Sequence, residues 1–208
     1  MSNDLLVEKS NGILKLIMNR PERRNAMSDE MLNDMLNELN KASFDNSIRV
    51  IVLTGAGNAF CAGGDVKDMA EKKDSGDKTT QQKTSDLRRV METARLLHEI
   101  TTPTIAVIPG PAAGAGFSLA MACDMRIACE SSKFTTAFAK VGFPGDFGGS
   151  YFLTQMIGTA KARELYYLSE LMTAQKAYEI GIINKVVADN EFEEEVKKII
   201  THIASGPS

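Results

Sequence analysis

Apolar and polar residues alternate over 5–9 and again over 13–18, with Asn11-Gly12 between them. A two-residue period on either side of an Asn-Gly pair predicts a β-hairpin. Asn19-Arg20-Pro21 breaks the second strand, and the period then lengthens. Met31, Leu32, Met35, Leu36 and Leu39 fall on one helical face, with Ser28 placed to cap that helix and Asn46 expected to end it. Residues 50–54 are continuously apolar, which predicts a strand buried on both faces. A glycine-rich loop, GAGNAFCAGG, follows over 55–64, and Asp65 is placed to cap a short helix after it. Residues 71–84 are polar and show no period, so a mobile surface loop is predicted there, in the position of a lid. Helical spacing returns over 85–100, where Leu87, Val90, Met91, Ala94 and Leu97 share one face.

The densest apolar stretch is IAVIPGPAAGAGFSLAMACD, residues 105–124. It predicts a buried strand over 105–109, a small-residue turn through Gly110, Gly114 and Gly116, and a buried helix over 117–122. A strand at 125–129 follows, and the chain from Phe134 to Gly148-Gly149 predicts irregular structure. Helices are expected at 151–157 and 160–168, split at Gly158. Thr173 caps a further helix closed by Gly181, 182–187 is extended, 192–203 is an amphipathic helix, and 204–208 resembles a linker. Strands alternating with helices give an α/β fold with crossover units. No internal repeat is legible.

Composition narrows the partners. With 208 residues and 43% apolar content, the chain predicts one domain, divided as a core over 1–190 and the start of a C-terminal helical segment over 191–208. A net charge of −3 and a pI near 5.5 leave no electrostatic footprint for nucleic acid. The opening MSNDLLVEKS lacks the basic head and apolar stretch of a secretory signal, and no run approaches the ~18 apolar residues of a membrane helix, so a cytoplasmic protein is expected. Cys61, Cys123 and Cys129 are read as reduced thiols. His98 and His202 sit near no cysteine or carboxylate at ligand spacing, so no metal is expected.

The turn at 110–116 bares backbone N–H groups at a helix N-terminus, where a phosphate or a developing oxyanion binds well. Neither glycine-rich loop has the Lys-Ser or Lys-Thr of a phosphate loop, and neither carries G-x-G-x-x-G directly after a strand. Gly116-Phe117-Ser118-Leu119-Ala120 approaches a nucleophile elbow, with Asp146 and His202 following in triad order. That elbow needs its serine directly off a strand, and residues 109–116 intervene. Two loops that each follow a buried strand and offer an amide beside glycine suit an oxyanion hole. The oxygen most in need of one is a thioester carbonyl becoming an enolate.

Ala59-Phe60-Cys61-Ala62-Gly63-Gly64-Asp65 and Gly110-Pro111-Ala112-Ala113-Gly114-Ala115-Gly116, with Ala120-Met121-Ala122-Cys123-Asp124, resemble the two signature loops of the crotonase (enoyl-CoA hydratase/isomerase) family. Asn19-Arg20-Pro21, Asn25-Ala26-Met27, Ala162-Arg163-Glu164-Leu165 and Gly181-Ile182-Ile183-Asn184-Lys185 support the match, which runs from about residue 11 to the end. The resemblance implies a crotonase-like spiral of repeated ββα units with flanking helices, acting on acyl-CoA thioesters, with coenzyme A as part of the substrate. It implies oxyanion donors at the amides of Gly64 and Ala115, the Ala62 carbonyl near the adenine, and Arg24 and Lys67 near the CoA phosphates. It further implies a homotrimer or dimer of trimers, a place in fatty acid metabolism, and C-terminal helices beyond the point where this sequence stops.

The sequence also departs from that pattern. Family hydratases hold a water between two glutamates; here Ser118 and Phe138 stand at those positions, and neither is a carboxylate base. Asp146, in Gly142-Phe143-Pro144-Gly145-Asp146-Phe147-Gly148-Gly149, resembles the aspartate of isomerase and dehalogenase members. Flanking Phe143 and Phe147 suggest an apolar pocket that raises its pKa; the alternative role is a cap for the helix after Gly148. One base suffices to move a double bond in an enoyl-CoA, with Phe138 and Phe143 expected along the acyl tunnel. The alternatives are a hydratase with a non-standard acid–base set, a hydrolase or dehalogenase using Asp146 as nucleophile, and a CoA-ester-binding paralogue without turnover.

Overall fold

The computed structural model describes residues 3–65 and 79–206. The predicted hairpin pairs β1 (Leu5–Ser10) antiparallel with β2 (Ile13–Met18), and both turn residues, Asn11 and Gly12, have positive φ (51° and 77°), as the tight turn requires. Then follow α1 (Asp29–Ala42), β3 (Val50–Gly55), α2 (Thr80–Glu99), β4 (Thr104–Ile108), β5 (Ala112–Ala113), α3 (Gly114–Ala122), β6 (Met125–Cys129), β7 (Lys133–Thr135), α4 (Gly149–Leu168), β8 (Met172–Thr173), α5 (Ala174–Glu179), β9 (Lys185–Val187) and α6 (Phe192–Ala204). Short 3-10 turns occupy Pro21–Arg23 and Phe138–Val141.

A six-stranded sheet runs in the order β1-β2-β3-β4-β6-β9, parallel except for the hairpin. The burial of its central strands explains why they read as mainly apolar runs. Ile51, Leu53, Ala106, Ile108 and Ala128 face the large core beneath α1, α2 and α3. The alternating Val50, Val52, Ile105, Val107 and Ile127 face a second cluster, where Phe192, Val196 and Ile200 lay α6 on the opposite side of the sheet. Both faces being covered, the strands show no regular polar alternation, and the polar Thr54, Thr104 and Arg126 are buried with hydrogen-bond partners.

A second row of short pairings runs alongside: Met27 with Gly64, Cys61 with Ala112, Ala112-Ala113 with Phe134-Thr135, and Phe134 with Met172. Each of β2, β3, β4 and β6 is thus followed by a short extended piece in this row. That is the repeated strand–strand–helix turn, and its contacts are single bridges or two-residue ladders between distant residues, so the sequence shows no repeat.

Several boundaries differ from expectation for identifiable reasons. Helix α1 ends at Ala42 rather than Asn46, and Ser28 caps it by accepting from Met31 N–H at 3.1 Å. Helix α2 begins at Thr80, so residues 80–84 are helical rather than loop; Thr79 and Gln82 form a reciprocal capping box. Its first turns are exposed all round, which leaves no apolar period to read. The predicted loop over 71–78, the helix that Asp65 was expected to cap, and Lys67 lie outside the described residues. The glycines at 114 and 116 form the first turn of α3 instead of preceding it. The break at Gly158 is as expected, at φ 75° and ψ 162°, and Thr173 Oγ1 caps α5. Among the described residues no helix is long and apolar enough to cross a membrane.

Candidate active site

The first glycine-rich loop is held from below by Asn25. This side chain is fully buried; its Nδ2 donates to the carbonyls of Ala56 (2.9 Å) and Ala59 (2.8 Å), and its Oδ1 accepts from Arg20 N–H (2.9 Å). Arg20 donates to Ala26 O (2.7 Å) and, with Arg23, holds the buried Asp65 carboxylate (3.1 and 2.7 Å) directly after Gly64. Asn25→Ala would strand two carbonyls and one amide. We expect a loss of about 2–3 kcal/mol in urea unfolding; an unchanged midpoint would mean that the loop does not hang on this residue.

The two loops are pressed together at backbone contact. A Cβ on Gly116 would lie 2.6 Å from the Cys61 carbonyl and 2.7 Å from its Sγ, and one on Gly110 would lie 2.0 Å from Asn58 O. Only glycine allows this approach. Cys61 O accepts from Ala113 N–H at 2.9 Å, and Gly63 O accepts from Met27 N–H at 2.8 Å.

Those bonds orient the two amides of interest. Carbonyl and N–H point in opposite directions across a trans peptide. Because Gly63 turns its carbonyl toward Met27, the Gly64 N–H points the other way, the side on which Ala112 and Ala113 pair with this segment. The Gly114 carbonyl looks along α3 and accepts from Ser118 Oγ (3.3 Å), so the Ala115 N–H points out of the helix N-terminus. A Cβ on Gly63 would lie 3.3 Å from Ala115 N. Neither amide donates to a backbone carbonyl among the described residues.

Beside these amides, the ring of Phe138 lies 3.9 Å from where a Gly114 Cβ would stand. Phe138 is buried and stacks on Tyr166 of α4, with centroids 5.9 Å apart and planes 5° from parallel. Phe143 is more than half exposed (53%), so it is not packed inside as a buried lining residue would be; Phe147 is buried. Asp146 lies between Gly145 (φ 104°) and Phe147 (φ 48°). Its Oδ1 is buried with no hydrogen-bond partner among the described residues, and burial alone pushes its pKa up to about 6. It does not cap the following helix: Gly148 occupies that position and no side chain bonds there.

Ser118 is buried with its hydroxyl turned back to Gly114 O, and His202 is exposed on α6 against the other face of the sheet, so Ser118, Asp146 and His202 form no triad. Ala62 and Arg24 are exposed neighbours joined by a hydrogen bond from Ala62 N–H to Arg24 O (3.0 Å). Burial pushes the thiols of Cys61 and Cys123 up to about 12, which makes them poor nucleophiles. Among the described residues no group of three or more His, Cys, Asp or Glu side chains is placed to hold a metal ion. Tyr166 was missed by sequence reasoning: nothing in Tyr166-Tyr167 distinguishes the buried phenol from the exposed one.

The sequence profile described as enoyl-CoA hydratase/isomerase matches residues 8–208. The chain belongs to the enoyl-CoA hydratase/isomerase family. Among curated members it is similar to a 1,2-epoxyphenylacetyl-CoA isomerase of Escherichia coli, at 35% identity over 100% of this chain and 79% of the relative. Among solved structures it is similar to an enoyl-CoA hydratase from Mycobacterium avium subsp. paratuberculosis, with a TM-score of 0.88, 29% identity, and coverage of 100% of this chain and 80% of the other. An enoyl-CoA hydratase from Bacillus anthracis superposes with a TM-score of 0.88, at 31% identity over 98% of this chain and 77% of that one. The crotonase fold and an enzymatic role as an enoyl-CoA isomerase or hydratase follow from this membership.

Proposed function

We propose that this crotonase-family enzyme moves a double bond in an enoyl-CoA, using the amides of Gly64 and Ala115 as oxyanion donors and Asp146 as the proton shuttle. The observation that carries the reading is the carboxylate inventory. Position 118 is a serine spent on its own helix, position 138 is a stacked phenylalanine, and Asp146 is a half-buried carboxyl whose Oδ1 is buried with no partner among the described residues. A single base takes a proton from C2 or C4 of the enoyl thioester and returns it at the other end; no atom is gained or lost. The thioester oxygen carries the negative charge between the two steps, where amide donors stabilise it most. Hydration asks for a second group to position and split water, and Ser118 and Phe138 do not supply one. The name of the Escherichia coli relative, an isomerase of a CoA thioester, points the same way.

In this reading the CoA portion lies over the first loop, with the Ala62 carbonyl toward the adenine and Arg24 and Lys67 toward the phosphates. The acyl group passes Phe138, with Phe143 at the entrance. Coenzyme A belongs to the substrate, no separate cofactor takes part, and a homotrimer, a cytoplasmic location and a role in fatty acid metabolism complete the proposal. A mass-spectrometric screen of a small enoyl-CoA panel in heavy water tests it. Deuterium at C2 and C4 of a migrated product, without the mass of added water, is expected; a hydroxyacyl-CoA as the main product would overturn it.

A further inference from the structure

The phenol of Tyr166 reaches between the two ends of the loop that carries Asp146. A Cβ on Gly145 would lie 2.8 Å from its Cε1 and 3.3 Å from its hydroxyl, and a Cβ on Gly149 would lie 2.6 Å from the hydroxyl and 2.3 Å from Ser118 Oγ. Glycine at both ends therefore makes room for the tip of this one side chain. The Tyr166 hydroxyl and Asp146 Oδ1 are both buried, and neither has a hydrogen-bond partner among the described residues. A phenylalanine would fill the same space and keep the stack on Phe138 without burying a lone hydroxyl.

From this placement we infer that Tyr166 is a positioning residue for Asp146: its O–H is the donor that the carboxylate takes up when the aspartate ionises during proton transfer. The inference rests on the reading of Asp146 as the shuttle. A protonated Asp146 needs no donor in an apolar pocket, whereas its anion does. The surrounding groups leave Tyr166 as the candidate. From α3, Ser118 Oγ donates to Gly114 O (3.3 Å) and lies close enough to the phenol to lower its pKa against burial and Asp146; Phe138, Phe147 and Phe152 are apolar. Burial is the one influence shifting Asp146, so no charged side chain among the described residues holds its anion. The phenol itself is pushed up to about 12, by burial first and by the neighbouring Asp146 next, and stays protonated as a donor. The proton on Tyr166 is shared with the carboxylate and not transferred.

Tyr166→Phe in the full chain tests this. Carboxyl-carbon NMR of labelled aspartate follows the ionisation of Asp146, and deuterium exchange into an enoyl-CoA gives the pH–rate profile. In Tyr166→Phe we expect the Asp146 pKa to rise by about one unit and the acid limb of the profile to move with it. Exchange below that limb then falls about tenfold, with little change above it and a melting temperature that is not lowered. An Asp146 titration identical in wild type and Tyr166→Phe would make Tyr166 a space-filling residue and overturn the inference. Retained exchange in Asp146→Asn would instead overturn the shuttle reading, and the NMR titration would still judge Tyr166 separately.

Discussion

Asp146→Asn is expected to lower C2/C4 proton exchange on an enoyl-CoA by about 10²–10⁴-fold and, at neutral pH, to raise the stability of the fold. Both effects have one cause. Burial without a hydrogen-bond partner lifts the Asp146 pKa from 3.8 to about 6. Between those values the folded state holds a proton that the unfolded chain has released, so stability falls as pH rises from about 4 to 6 and the deficit persists above. The ionised aspartate thus costs on the order of 1–3 kcal/mol at neutral pH, which a neutral amide of the same shape partly recovers. Wild-type exchange should rise through pH 6 as the base form appears. Isotope exchange followed by mass spectrometry, beside thermal melts at pH 4 and 7, checks both halves. Exchange at the wild-type rate in the Asn variant would remove Asp146 from the chemistry.

Replacing the backbone N–H of Ala115 by an ester oxygen is expected to cost about 10²–10³-fold in turnover, roughly 3–4 kcal/mol of transition-state stabilisation. The substitution leaves every side chain in place. It leaves α3 almost untouched too, because this amide stands in the helix's first turn and bonds to no carbonyl among the described residues. Affinity for a saturated acyl-CoA, whose carbonyl carries only partial charge, should fall far less than the rate. An equal loss in binding and in rate would mean that the amide holds the ground state and not the enolate.

Much of the fold was readable because it is local. The Asn11-Gly12 turn, the Ser28 and Thr173 caps and the break at Gly158 each depend on residues within one turn of each other. Residues 50–54 read as doubly buried because their first four side chains are apolar, and the one hydroxyl, on Thr54, is buried on Val107 O. The winding of the chain was legible only by resemblance, since pairs such as Met27–Gly64 and Cys61–Ala112 are single bridges that leave no pattern. At the site, the glycine-rich loops and the lone carboxylate of residues 142–149 stood out by composition. The exposure of Phe143 and the buried hydroxyl of Tyr166 did not, because neither Phe143 beside glycine nor Tyr166 beside Tyr167 carries a local sign of which way its ring turns. A clue to Tyr166 lies in Gly145 and Gly149, where a Cβ would run into the phenol, although Ser118 Oγ crowds Gly149 as closely and Gly145 has φ 104°.

Two peptide N–H groups from separate loops meeting at one thioester oxygen is the claim on which the chemistry depends, and a crystal structure with a non-isomerisable saturated acyl-CoA tests it directly. The acyl oxygen should lie about 2.7–3.1 Å from the nitrogens of both Gly64 and Ala115, with C2 facing Asp146. An acyl oxygen bonded elsewhere, or touching only one of the two amides, would contradict the account.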